Sequence, residues 1–227
     1  MTDLLKRYPL TGGIILLNLA AYVFSALFSG SVIDMDLKVL VDMGALYGPL
    51  VVLKGEWWRL LSAMFLHGGM THLLMNMVSL YIVGRGVESY FSKHDYLLLY
   101  LFSGLIGGIA SLAVHPQSVG IGASGAIFGL FGALAGFFLA HRTQIAAYSR
   151  EFMKDFAAII GINLFLGFAI PSIDMSAHVG GLIVGFLGGF VIARYHIKGL
   201  MIFTGLGVLA LFVGVQVLQH YYVQIFM

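Results

Sequence analysis

Cysteine is absent from the 227 residues, which excludes disulfides, thiolate metal sites and cysteine nucleophiles. Charge is scarce: 10% of residues are Asp, Glu, Lys or Arg, against about 25% in a soluble domain. With 60% hydrophobic residues, the chain reads as an integral membrane protein with no room for a separate soluble domain of ordinary size. The net charge is +2 and the basic residues are dispersed, so no nucleic-acid surface is expected. Every carboxylate falls near a helix end or in a loop, which removes the paired intramembrane carboxylates of an aspartyl protease. No lysine lies at membrane depth to serve a serine–lysine pair. His67 and His72 lack the spacing and the Glu of H-E-x-x-H, and no third ligand presents itself, so neither a metal nor any other cofactor is expected. No internal repeat is visible. That weighs against a transporter, although His72, Asn76 and His178 leave proton-coupled transport open. No small-residue cleavage site follows Lys6 and Arg7, so the first apolar run reads as a retained span.

What the chain does have is a series of apolar runs near 20 residues long, at about 11–29, 68–88, 96–114, 121–141, 153–171, 176–195 and 199–220. Each is a candidate membrane helix. With the N-terminus inside, nine basic residues (Lys6, Arg7, Arg85, Lys93, Arg142, Arg150, Lys154, Arg194, Lys198) fall on the inner side and three (Lys38, Lys54, Arg59) outside. That bias predicts a cytoplasmic N-terminus and, for seven spans, an outer C-terminus. Residues 30–67 form the longest connection. It mixes Asp34, Asp36, Lys38 and Asp42 with apolar residues and ends in Glu56-Trp57-Trp58-Arg59. The Trp pair beside Arg reads as an interfacial signature, and the loop as amphipathic and partly embedded in the outer leaflet.

The second span carries His72 and Asn76 at i, i+4, on one helical face, and Arg85 with Glu88 at i, i+3 near its inner end. The latter two read as a pair tying this helix to the inner loop. His67, nearer the surface, reads as a loop hydrogen-bonder. The fourth span holds Gly122, Gly125, Gly129, Gly132 and Gly136, and the sixth Gly181, Gly185 and Gly189. Stripes of this spacing let helices approach closely, so these two spans are expected to pack together. Gly185→Val should then separate them, and Gly185→Ala should be milder.

Ser124 stands in the first turn of the fourth span, within Gly120-Ile-Gly-Ala-Ser-Gly-Ala-Ile-Phe-Gly129. Helix starts offer N–H groups without intrahelical partners and a partial positive charge. The second, fourth and sixth spans run in one direction, so His72 with Asn76, Ser124, and His178 share one depth below the outer surface. Polar residues there are expensive and functional by default. A serine–histidine hydrolase uses all of them. Ser124 would be the nucleophile and His178 the general base, while His72, Asn76 and the backbone N–H groups of Ala123 and Ser124 would hold the oxyanion. Phe128, one turn on, would pack on the imidazole. No Asp stands where it would orient His178, so a dyad is expected.

The set Trp58-Arg59, His67-x4-His72-x3-Asn76, Gly122-Ala123-Ser124-Gly125 and Ala177-His178-x2-Gly181-x3-Gly185 resembles the rhomboid family of intramembrane serine proteases, over residues 10 to 195. The resemblance implies an all-α polytopic membrane protein, with a rhomboid-like six-helix core at 1–198 and a seventh C-terminal transmembrane helix at 199–227. It implies cleavage of single-span, membrane-anchored substrates by a Ser124–His178 dyad with His72 and Asn76 in the oxyanion hole, and a membrane-embedded first outer loop. Phe128 replaces the Tyr often found in the family, which keeps the stacking and loses a hydroxyl. The seventh helix matches the six-plus-one form. A bacterial-type plasma membrane with the active site opening outward is the expected location. A catalytically silent, rhomboid-like membrane chaperone or quality-control binder is the alternative. Substrate access is assigned to the fifth span, at Phe165, Gly167 and Phe168, or to the loop Pro171 to Met175.

Overall fold

The computed structural model describes residues 2–143, 161 and 174–227. Apart from residue 161, the expected fifth span, with Phe165, Gly167, Phe168 and most of the following loop, lies outside these residues. A short α1 (Thr2–Arg7) leads into α2 (Pro9–Ser29), α3 (Leu37–Asp42), α4 (Arg59–Ser62), α5 (Met70–Tyr90), α6 (Lys93–Val114), α7 (Ser124–Ala140) and α8 (Met175–Phe226). The protein is an all-α polytopic membrane protein. Three of these helices, α2, α6 and α8, are long and apolar enough to cross a membrane, and α7 is a shorter apolar helix. The long helix α5 is less apolar, because His72, Asn76, Arg85 and Glu88 interrupt it.

The sixth and seventh expected spans are the two helical arms of α8, separated by a break at His196 (φ 51°, ψ −126°). No glycine marks that break, and an L-residue rarely adopts a positive φ. The two arms fold back on each other: a Cβ on Gly199 would run into the Val191 carbonyl, and Gly188 faces Phe203. The second arm then runs parallel to α6, with Gly207 on Phe102 and Gly214 on Ile109.

Close backbone approach sets the core beside the site. A Cβ on Gly181 would collide with the Gly125 carbonyl, one on Gly185 with the Gly129 carbonyl, and one on Gly189 with the Ala133 carbonyl. From the other side, Gly132 and Gly136 face the Leu182 and Phe186 carbonyls. Helix α7 and the first arm of α8 therefore run parallel in direct contact, with their N-termini at one end. The obstacle at Gly185 is backbone, which yields less readily than a side chain, so Gly185→Ala is itself costly even though Gly185→Val, with two further methyl groups, costs more. Helix α5 runs parallel to α7 as well: Gly122 faces His72 at one end, Gly86 faces Leu134, and Tyr90 packs on Phe137 at the other.

The connection from 30 to 69 is a structured body, not an open loop. Asp36 caps α3 by accepting from the Lys38 and Val39 N–H groups. The connection closes on itself through Met35 N–H to the Gly68 carbonyl (3.0 Å) and Met70 N–H to the Ile33 carbonyl (2.9 Å). Trp58 is exposed, as an interfacial residue can be, but Arg59 is buried. Its guanidinium donates to the Val41 and Ala45 carbonyls and to Glu56. Arg59 is thus an internal tie and not a partner of lipid headgroups. A two-residue strand, β1 (Leu46–Tyr47), pairs antiparallel with β2 (Val119–Gly120), fastening this body to the segment that leads into α7.

Arg85 and Glu88, expected to tie this helix to the inner loop, reach the start of α2 and not each other. Glu88 instead accepts from the Leu10 and Thr11 N–H groups and from the Thr11 hydroxyl, at 2.7 to 2.9 Å. A carboxylate there satisfies orphan donors and the positive end of α2. Arg85 lies over the rings of Tyr8 and Tyr81.

Candidate active site

Helix α7 has 17 residues, a rise of about 26 Å, which is shorter than the roughly 30 Å hydrocarbon core. A helix this short can begin below the membrane surface, and it begins at Ser124. Ahead of it Gly122 adopts φ 115° and donates its N–H to the Ala63 carbonyl (2.9 Å). A side chain at 122 would be strained by that φ, and its Cβ would lie 2.8 Å from His72 Nε2. The turn and the imidazole together require glycine. Ala123 caps the helix without a side-chain bond. The first helical bond at this end runs from Ile127 N–H to the Ala123 carbonyl, so the N–H groups of the preceding residues have no helical acceptor.

His178 enters from the first turn of α8. That turn is set by Asp174, whose carboxylate accepts from the Ser176 (3.0 Å) and Ala177 (3.2 Å) N–H groups. Burial works to raise the Asp174 carboxyl, but hydrogen bonds from Ser111, Ser176 and Ala177 and the nearby His115 outweigh it and hold it below its usual range. Asp174 is a helix cap and not the orienting partner of His178. The sequence reading had no signal for this role beyond an Asp one turn before the histidine.

The structure brings Ser124 Oγ to 2.7 Å from His178 Nε2. The Phe128 ring stacks on the imidazole, with centroids 4.4 Å apart and planes 13° from parallel. With the serine hydroxyl donating to Nε2, the imidazole proton sits on Nδ1. That atom is buried and has no partner among the described residues. The imidazole is therefore held by ring packing from Phe128 and by the anchored helix start.

His72 reaches the Gly122 turn, as described above. Asn76 is buried, yet its amide NH2 donates to the His72 carbonyl on its own helix (2.9 Å) and its Oδ1 has no partner among the described residues. Its second N–H remains to be directed elsewhere. His67 lies deeper than the sequence reading placed it. It is fully buried, packs edge-on against His72 at 5.0 Å, and has the Phe65 backbone of the loop beside its imidazole. Burial, with His72 beside it, pushes the His67 imidazole down to about 3, so it is neutral. Ser124, His178, Phe128, His72 and the Gly122–Ala123 turn thus meet at one end of three parallel helices, and Asn76 lies one turn deeper on α5. Gly125, Gly129, Gly181 and Gly185 form the floor on which two of these helices touch.

Sequence comparison places this geometry among known proteins. The rhomboid domain matches residues 54–195. The chain is 44% identical over 149 residues to the rhomboid protease GluP of Bacillus subtilis, covering 66% of this chain and 28% of that protein. It is 41% identical over 174 residues to RHOMBOID-like protein 2 of Arabidopsis thaliana, covering 77% and 54%. It is 35% identical over 189 residues to the putative rhomboid protease YdcA of Bacillus subtilis, covering 82% and 90%. The chain therefore spans between about a quarter and about half of the first two relatives and nearly all of the third.

Proposed function

The chain belongs to the rhomboid family, and from that premise we propose that it is an intramembrane serine endopeptidase acting through a Ser124–His178 dyad. The observation that carries this reading is the 2.7 Å contact between Ser124 Oγ and His178 Nε2, made where α7 and α8 cannot separate without losing their backbone contact. Ser124 Oγ attacks the scissile carbonyl while His178 Nε2 takes its proton. The tetrahedral oxyanion is received by N–H groups at the Ala123–Ser124 helix start, by His72 and by the free N–H of Asn76. His178 then returns the proton to the leaving amine, leaving an acyl ester on Ser124. A water, deprotonated by the same imidazole, attacks the ester and frees the enzyme.

The substrates are single-span membrane proteins that arrive from the lipid and are cut within or beside their spans. Residues 1–198 form the catalytic core and 199–227 an additional helix. The N-terminus lies in the cytoplasm of a bacterial-type cell, with the site opening outward through the plasma membrane. Cleavage of a single-span substrate in liposomes tests the reading. Wild type should cleave, and Ser124→Ala and His178→Ala should not. A Ser124→Ala protein that cleaves at the wild-type rate refutes the dyad. One that keeps full cellular function while failing to cleave favours the silent chaperone.

A further inference from the structure

The rhomboid domain match ends at residue 195, yet the far end of α8 closes against the segment that presents Ser124. Along most of its second arm α8 shows a broad exposed apolar face, including Val208, Phe212 and Val217, as a lipid-facing helix does. Its last turns differ. Leu218 and Tyr222, on one face at i, i+4, are buried in a small cluster of their own with Leu46, Val51, Leu60 and Leu112. The Tyr222 hydroxyl is within reach of two carbonyls, Leu112 at 2.9 Å and Pro116 at 3.1 Å. It has one proton to share between them. Leu112 is among the last residues of α6, whose carbonyls have no helical donor, and Pro116 begins the turn into the catalytic motif. A Cβ on Gly48 would strike both the Tyr222 hydroxyl and the Pro116 carbonyl, so three distant segments meet at this oxygen.

From there the connection to Ser124 is short. Tyr47 pairs with Val119 and Leu46 with Gly120, Gly122 N–H is held by Ala63, and Ala123 is the cap of α7. We propose that Tyr222 is a positioning residue. Its hydroxyl fixes the 112–120 segment against β1, and so sets the height and angle of the Gly122–Ala123 turn that carries the oxyanion N–H groups. This rests on the dyad reading for its effect on rate, and on the geometry alone for its effect on order. On this account the second arm of α8 is part of the active-site scaffold and not an appended anchor.

Tyr222→Phe keeps the ring in its cluster and removes only the hydroxyl. In liposomes, on the full chain, kcat for a single-span substrate should fall about 3- to 10-fold, the loss expected for one hydrogen bond, with KM within about twofold. Amide exchange should rise in residues 119–123 and stay at the wild-type level in residues 126–136. Phe212→Ala, on the lipid face of the same helix, should change neither. Wild-type kcat and wild-type exchange in Tyr222→Phe overturn the proposal. So does a loss of rate with exchange rising throughout the bundle, which is what a purely structural role gives. If wild type itself neither cleaves nor reacts with a serine-directed fluorophosphonate, the dyad reading fails, and the exchange measurement at 119–123 still decides the role of Tyr222.

Discussion

The two halves of the site are built differently. On one side, Ser124 and His178 stand on helices whose backbones touch. Gly181 and Gly185 lie against the Gly125 and Gly129 carbonyls, and no side chain intervenes. On the other side, His72 and Asn76 project from α5, where Asn76 bonds to its own helix and has an unpartnered oxygen. Backbone-to-backbone contact leaves few alternative arrangements, because closely packed interiors do not deform continuously. Side chains that bond only locally keep their rotamers in reserve. On the proposed mechanism, Ser124 and His178 are set before substrate arrives, and His72 and Asn76 complete their geometry when a carbonyl is present. Catalytic hydrogen bonds are often looser without substrate for this reason.

The comparison breaks most directly at the fixed half. Removing either partner, Ser124→Ala or His178→Ala, should lower kcat by about 10⁵- to 10⁶-fold, as losing the nucleophile or base does in serine hydrolases. Single-turnover cleavage in liposomes measures it, and a loss below tenfold in either variant means the chemistry lies elsewhere. On the adaptable half, His72→Ala and Asn76→Ala should each cost about 10²–10³ in kcat with the fold intact. Wild-type turnover in both would remove α5 from the chemistry.

Smaller effects sharpen the contrast. Gly185→Val should destabilise by about 3 kcal/mol, the upper range for overpacking, and take activity with it, because the obstacle is the Gly129 backbone. Gly185→Ala should follow in the same direction, and an alanine variant with wild-type melting and turnover refutes the contact. Last comes the cap. Asp174→Ala should cost about 1 kcal/mol and Asp174→Asn much less, since Asn also caps. The Asp174 carboxyl is held below its ordinary value of 3.8. Its stabilisation is therefore present above that value and lost as pH falls through the lower folded one. Denaturant titrations of wild type and Asp174→Asn should converge under acid, and a constant difference down to the lowest pH contradicts the cap's ionised state.

Much of the fold is legible because membrane helices announce themselves by length. The runs at 11–29, 68–88 and 96–114 differ by a few residues from Pro9–Ser29, Met70–Tyr90 and Lys93–Val114. The nearness of Ser124 and His178, 54 positions apart, follows from glycines spaced alternately three and four apart on one helix and four apart on the other. What escapes the sequence shares one physical trait. Arg59 is tied to the Val41 and Ala45 carbonyls, Glu88 to the Leu10 and Thr11 N–H groups, and Tyr222 to the Leu112 and Pro116 carbonyls. Backbone partners are the same at every residue and leave no letter to read. The break at His196 falls between the expected spans 176–195 and 199–220, and only its conformation is hidden, since its positive φ falls on a residue that does not advertise one.

The central claim is that Ser124 is a nucleophile activated by His178. Its most direct measurement is the reaction of the full-length protein in liposomes with a fluorophosphonate, followed by peptide mass mapping. The account requires one adduct, on the peptide containing Ser124, absent in both Ser124→Ala and His178→Ala. An adduct on any other serine, or undiminished labelling in a folded His178→Ala protein, contradicts it.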